Sequence, residues 1–229
     1  MVRSEIISAM SANRLYWLGR YEERVYLTLR MLSKYYDKMI DGVPSGYVTF
    51  WRKLDSVVNY KNDAAFTLGM MYDEKNPASV FSALCKAMDN AMMLRETISS
   101  ETLSYLEMSV AKMRELKTEK EMNINRLQQI TDWSLAFFGC AEQRTRNHTA
   151  LALLLIGRNI ENLDMLLRFD YPLDRIVKAW ESLKNIATYE TYTDQNITKK
   201  IDMQMTQENY NDINFKNRVL SLLSVLTMV

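Results

Sequence analysis

Two short stretches of this chain place arginine and glutamate where they could do chemistry. Trp17-Leu18-Gly19-Arg20-Tyr21-Glu22-Glu23-Arg24 aligns with Leu155-Ile156-Gly157-Arg158-Asn159-Ile160-Glu161-Asn162, so Arg20 matches Arg158 and Glu23 matches Glu161. Guanidinium forks hold carboxylates and phosphates by two parallel bonds. An Arg and a Glu three residues apart can also pair along one helix. Three readings stand side by side. The charges form a buried ion-pair network that sets register and adds little net stability, or an anion or carboxylate pocket, or a charge cluster at a partner interface. On a helical wheel Arg20 and Glu23 fall roughly opposite the seam of Leu18, Val25, Leu29 and Leu32, with Arg24 at its margin. Arg158 points away from the seam of Leu153, Ile156, Ile160, Leu163 and Leu167, and Glu161 lies nearer its edge. Glu22 occupies a seam position where its repeat mate is Ile160. Either it is buried with an Arg or the seam opens to solvent there, and a partly exposed carboxylate at the seam edge is the expectation.

Each motif arginine follows a glycine, Gly19 or Gly157. A glycine inside a helix costs about 1 kcal/mol relative to alanine. A close helix–helix approach, or a ligand against the backbone, would offset that cost.

Other chemistry is not suggested. His148 is the only histidine, and the Glu-x-x-His pairs of di-iron bundles are absent. Cys85 and Cys140 lie inside apolar helical patterns, so neither a disulfide framework nor a zinc site is expected. No phosphate-binding glycine loop and no Gly-x-Ser-x-Gly turn occurs. The 16 Met are spread along helices and read as core filling rather than copper ligands. No metal and no cofactor is therefore expected.

Helices must position these residues. The chain has 229 residues with only 6 Gly and 3 Pro, too few for a sandwich or barrel that turns every ~8–12 residues. Spacings of three and four place helices over about 11–41, 47–59, 63–72, 77–98, 100–116, 120–141, 146–169, 172–189 and 215–228. Gly42-Val43-Pro44-Ser45-Gly46 stops the first, and Asn76-Pro77 reads as an N-cap with Pro at the first helical position. The polar stretch from Thr191 to Asn211 reads as a loop. Net charge is +1, so no field gathers nucleic acid or an anionic membrane. The longest apolar run, Ala150 to Ile156, is too short to span a bilayer, and no signal peptide opens the chain. A cytoplasmic protein is the expectation.

The repeat extends beyond the motif. Trp51 with Leu54 and Tyr60 matches Trp180 with Leu183 and Tyr189, and Val80-Phe81-Ser82-Ala83-Leu84 matches Val219-Leu220-Ser221-Leu222-Leu223. The expected fold is an all-α helical bundle, one domain over residues 1–229. It has two sequence-related, pseudo-two-fold halves, about 11–138 and 146–229, with the second truncated. An apolar last helix without its repeat partner could cover a homodimer interface.

The stretch Leu15-Tyr16-Trp17-Leu18-Gly19-Arg20-Tyr21-Glu22-Glu23-Arg24 resembles the signature of the bacterial alpha-E domain family. Asn76-Pro77-Ala78-Ser79-Val80, Arg95-Glu96-Thr97-Ile98-Ser99-Ser100-Glu101, Arg146 and Ile156-Gly157-Arg158-Asn159-Ile160-Glu161 continue the resemblance, which covers about 11–189. It implies an all-helical protein without an assigned enzymatic activity. It also implies a setting beside ATP-grasp-type ligases, transglutaminase-like peptidases and Ntn-type hydrolases. The chain would be a non-catalytic accessory or substrate-binding protein in peptide- or amide-bond synthesis or modification. Arg20, Arg24, Arg146 and Arg158 would offer guanidinium forks, oriented by Glu23 and Glu161. The alternatives are an enzyme using an Arg/Glu pocket for acid–base work, or a purely structural interaction module. Asn162 stands where the family has Arg, which would leave Arg24 alone at a shared site.

Overall fold

The computed structural model describes residues 7–40, 50, 52–54, 60–119 and 124–229, with no side-chain description for 35–40 and 124–126. The glycine–proline stop at 42–46 and most of the helix expected over 47–59 lie outside these residues. All regular structure among the described residues is helical. The order is α1 (Ala9–Ile40), α2 (Asp63–Tyr72), α3 (Val80–Met93), α4 (Arg95–Ile98), α5 (Ser100–Glu119), α6 (Ile124–Arg144), α7 (His148–Arg168), α8 (Leu173–Lys184), α9 (Tyr189–Tyr192), α10 (Gln195–Gln204), α11 (Gln207–Tyr210) and α12 (Phe215–Leu223). The only extended pairing described is an isolated antiparallel bridge between Thr193 and Thr227.

Helix starts follow side-chain caps. Asn62, Asn147 and Asp194 accept from backbone N–H groups of the first turns of α2, α7 and α10, each satisfying a donor the helix leaves open. Two starts differ from expectation. Asn76-Pro77 does not open α3: Ser79 is the cap, accepting from Ser82 N. Asn76 is fully buried, its Nδ2 donating to Tyr60 Oη at 2.6 Å while its Oδ1 takes the Ala78 N–H at 2.9 Å. The stretch 191–211 is not a loop but carries the end of α9 and all of α10 and α11. There, Asp202 near the end of α10 accepts from Trp180 Nε1 at 2.7 Å and pairs with Lys184 Nζ at 2.8 Å, both on α8.

By internal contacts the chain divides into two units. One comprises residues 21–145, the other residues up to 20 together with 146–229. This division cuts α1 at the motif and runs along a different line from the sequence repeat. In the first unit α5 packs along α3 and α6, and α2 packs on α3. Its buried side chains include Phe66, Met70, Leu84, Leu106, Phe137 and Phe138. In the second unit α7 packs on α8, and α12 packs on α7 and α10. The α8 stripe of Ile176, Ala179, Trp180 and Leu183, at i, i+3, i+4 and i+7, is buried. It joins Ile156, Ile160, Leu163, Phe215 and Val219 in one core. Each such large side chain stabilises by about 1.5–3 kcal/mol relative to exposure. Trp180 and Tyr189, the repeat's Trp and Tyr, stack edge to face with centroids 6.2 Å apart.

Candidate functional site

The site begins at a helix crossing. A Cβ built on Gly19 would lie 2.0 Å from the Leu154 carbonyl oxygen and 2.9 Å from Arg158 N. A Cβ on Gly157 would lie 2.0 Å from the Tyr16 carbonyl oxygen and 3.2 Å from Arg20 N. The contact is reciprocal: each glycine meets the carbonyl three residues before the other glycine and the amide one residue after it. The Cα hydrogen standing in place of each Cβ points at the partner helix's carbonyl, a weak Cα–H···O contact. The close approach that would offset the cost of the two glycines is therefore present.

This crossing has a measurable consequence. Gly157→Ala puts a methyl into a backbone carbonyl, which no side-chain rotation relieves, and should cost about 1–3 kcal/mol by overpacking. Gly139 on α6 is the control, because its Cβ would meet nothing within 4 Å. Gly139→Ala should stabilise by about 0.5–1 kcal/mol. Urea unfolding of both variants checks the pair, and equal effects would refute the crossing.

The residue after Gly19, Arg20, lies against α7. Its Nε donates to Glu161 Oε2 at 2.8 Å, and its Nη2 lies 2.8 Å from the same oxygen. Its Nη1 donates to Tyr16 Oη at 3.3 Å. The guanidinium carbon sits 5.2 Å from the centre of the Trp17 ring, a cation–π distance. Glu161 has no exposure, whereas the Arg20 side chain keeps 14%. Burial pulls the Arg20 pKa down, but the charge of Glu161, with smaller contributions from Tyr16 and Asp164, lifts it further and holds it above its ordinary value. Asp164, three residues beyond Glu161 and itself buried, pairs with Arg168 at 2.5 Å.

Of the other expected site residues, Arg158 follows Gly157 at the crossing itself, its N 2.9 Å from where a Gly19 Cβ would stand. Arg158 is half-buried on α7, and Arg146 is exposed just before Asn147, the cap of that helix. Glu23 is buried and Arg24 half-buried on α1, within the unit formed by residues 21–145. Spacing does not single out Tyr16, Trp17, Asp164 or Arg168. Asp164 and Arg168 at i, i+4 on one helix are the one signal that could have found part of this set.

Glu22 corrects an expectation. It is not at an open edge but buried, with 1% exposure. Burial raises its carboxyl from 4.5 to about 7, the Ser134 hydroxyl opposing in part and the charge of Glu23 adding to the rise. The thiol of Cys85 is pushed up by burial, the opposite of a reactive cysteine. Among the described residues no three His, Cys, Asp or Glu side chains cluster to hold a metal ion, and no helix is long and apolar enough to cross a membrane.

An all-helical chain with an arginine–glutamate lock at a glycine crossing is thus the class defined. Residues 8–208 match the Alpha-E family, described as a predicted alpha-helical domain with a conserved ER motif, and the chain belongs to that family. Its Glu-Arg dipeptide is Glu23-Arg24, and the repeat mate is Glu161-Asn162. Comparisons with curated proteins and with solved structures find no match.

Proposed function

We propose that this chain is a non-catalytic helical accessory or substrate-binding protein. It works with an ATP-grasp-type ligase in the synthesis or modification of peptide or amide bonds. The observation that supports the non-catalytic part is the Arg20–Glu161 lock. Three guanidinium nitrogens of Arg20 already face Glu161 and Tyr16. The Glu161 carboxylate is wholly buried against them, so it offers no base or acid to a substrate. The motif then serves to fix helix register, and binding falls to other surfaces. The ligase, and with it a transglutaminase-like or Ntn-type hydrolase, follows from the family resemblance. We read the reciprocal Gly19–Gly157 contact as the local trace of a duplicated helical unit with pseudo-two-fold symmetry.

The test is reconstitution with an ATP-grasp-type ligase encoded beside this chain. Co-elution in size-exclusion chromatography and a peptide-dependent rise in ADP release on adding the chain are expected. Absence of co-elution together with unchanged ADP release rejects the accessory role. Turnover of the peptide by the chain alone rejects the non-catalytic one.

A further inference from the structure

The sequence repeat allows one surface to be compared with its covered counterpart. Val80, Leu84 and Ala87 on α3 match Val219, Leu223 and Leu226 on and just beyond α12, and all six are buried. The positions between them differ. Phe81, Ser82 and Ala83 are buried, whereas Leu220 and Leu222 are only half-buried and Ser221 is exposed. In the unit of residues 21–145 the covering element is α5, which packs along α3 and lays Lys117 Nζ 5.1 Å from the centre of the Phe81 ring. The helices beneath correspond as well: α2 packs on α3, and α10 packs on α12.

Two of these positions, Ser221 and Leu222, line a groove of ≈ 660 Å³ between α10 and α12. Lys200, Met203 and Gln204, at i, i+3 and i+4, form one wall, and Asn217, Ser221 and Leu222 form part of the other. These are the ridge spacings into which a third helix packs. The wall on α12 runs from Asn214 to Leu222, about 12 Å at the helical rise, or two turns. Met203 on the floor's edge is 63% exposed.

Charge selects the occupant. Lys200 and Arg218 line the groove, and no carboxylate does so among the described residues. Arg218 is partly neutralised by Asp212 at 2.9 Å, and its Nε donates to Gln204 Oε1 at 3.0 Å. Lys200 is exposed and makes no ion pair among the described residues, and Lys199 beside it is exposed as well. The amides of Asn217 and Gln204 add donors on both walls.

We propose that the α10–α12 groove docks an acidic amphipathic helix of a partner protein. This surface shares no residue with the Arg20–Glu161 lock, and the proposal does not depend on the partner being a ligase.

The experiment uses the full chain and two labelled model helices with the same apolar stripe, one flanked by glutamate and one by lysine. In fluorescence anisotropy at low salt the glutamate helix should bind at least ~10-fold tighter than the lysine helix. The gap should close in high salt, where exposed charges are screened. Lys200→Glu should weaken the glutamate helix by ~10-fold or more and favour the lysine helix. Ser221→Trp, which fills the groove, should abolish binding of either. Both positions are exposed, and unchanged far-UV circular dichroism establishes that each variant folds. Equal affinity for the two helices, no binding of either, or binding indifferent to both variants overturns the proposal. So does a concentration-dependent dimer in sedimentation that Ser221→Trp abolishes, because the occupant is then a second copy of this chain.

Discussion

Replacing Arg20 by alanine should lower the stability of this protein by about 3–5 kcal/mol, the range for stranding one partner of a buried ion pair. The cost sits on Glu161, not on Arg20. Glu161 has no exposure, whereas Arg20 keeps 14%, so it is the carboxylate that loses two charge-assisted contacts in a place water does not reach. A buried carboxylate that loses a counter-charge is relieved by taking up a proton. The deficit of Arg20→Ala should therefore shrink as pH falls, and Glu161→Gln in the same background should recover part of it at neutral pH. The double variant Arg20→Leu/Glu161→Leu should lie far closer to the native protein than Arg20→Ala, because an apolar pair of similar volume often matches a buried ion pair. Urea denaturation of each variant at two pH values checks these expectations. A loss below about 1 kcal/mol, with the double variant no better than the single, would mean that the pair is effectively solvated and that Arg20 remains free to bind a ligand.

Residues near in sequence made most of this fold legible. Helix α2 falls at Asp63–Tyr72, where its pattern places it, because Asn62 and the apolar spacing are local signals. The paired glycines are half legible: an interior glycine before an arginine, occurring twice, points to a close helix contact or a ligand on the backbone, and the crossing is the first of these. What escaped was tertiary. The segment 191–211 shows few apolar residues, and its central helix α10 is held by the Asp194 cap and by Asp202 reaching Trp180 and Lys184 on α8. Asn76 resembles a cap because its local partner is visible in the sequence and its distant one, Tyr60 Oη, is not. The same holds at the motif. Spacing offers Glu23 as the neighbour of Arg20, three residues on. The observed partner is Glu161, 141 residues away. The repeat makes the two glutamates equivalent, but equivalence does not say which arginine meets which glutamate. That choice is made by the Gly19–Gly157 crossing, which sets Arg20 N 3.2 Å from where a Gly157 Cβ would stand.

Glu22→Gln should make the protein more stable at pH 8 by about 3 kcal/mol and leave it nearly unchanged at pH 4, with the difference opening between these values. The carboxyl is raised from 4.5 to about 7 in the folded chain, chiefly by burial. In the window between those values the folded state binds more proton than the unfolded one, so stability falls as pH rises through it. Below about 4.5 both states are protonated and nothing is lost; above about 7 both are ionised and the full penalty stands. Ser134 only partly offsets the burial, and Glu23, the next residue, adds repulsion. Glutamine keeps the shape without the charge, so the difference between the two pH–stability curves isolates this one group from every other carboxylate. The repeat supports the physical reading, because Ile160 stands at the equivalent position of α7 and is buried as a seam residue should be. Glu22 is a charge placed where the helix period asks for an aliphatic side chain. Parallel pH–stability curves for Glu22→Gln and the native chain would show that the carboxyl titrates as it does in water, which is incompatible with its burial in the seam.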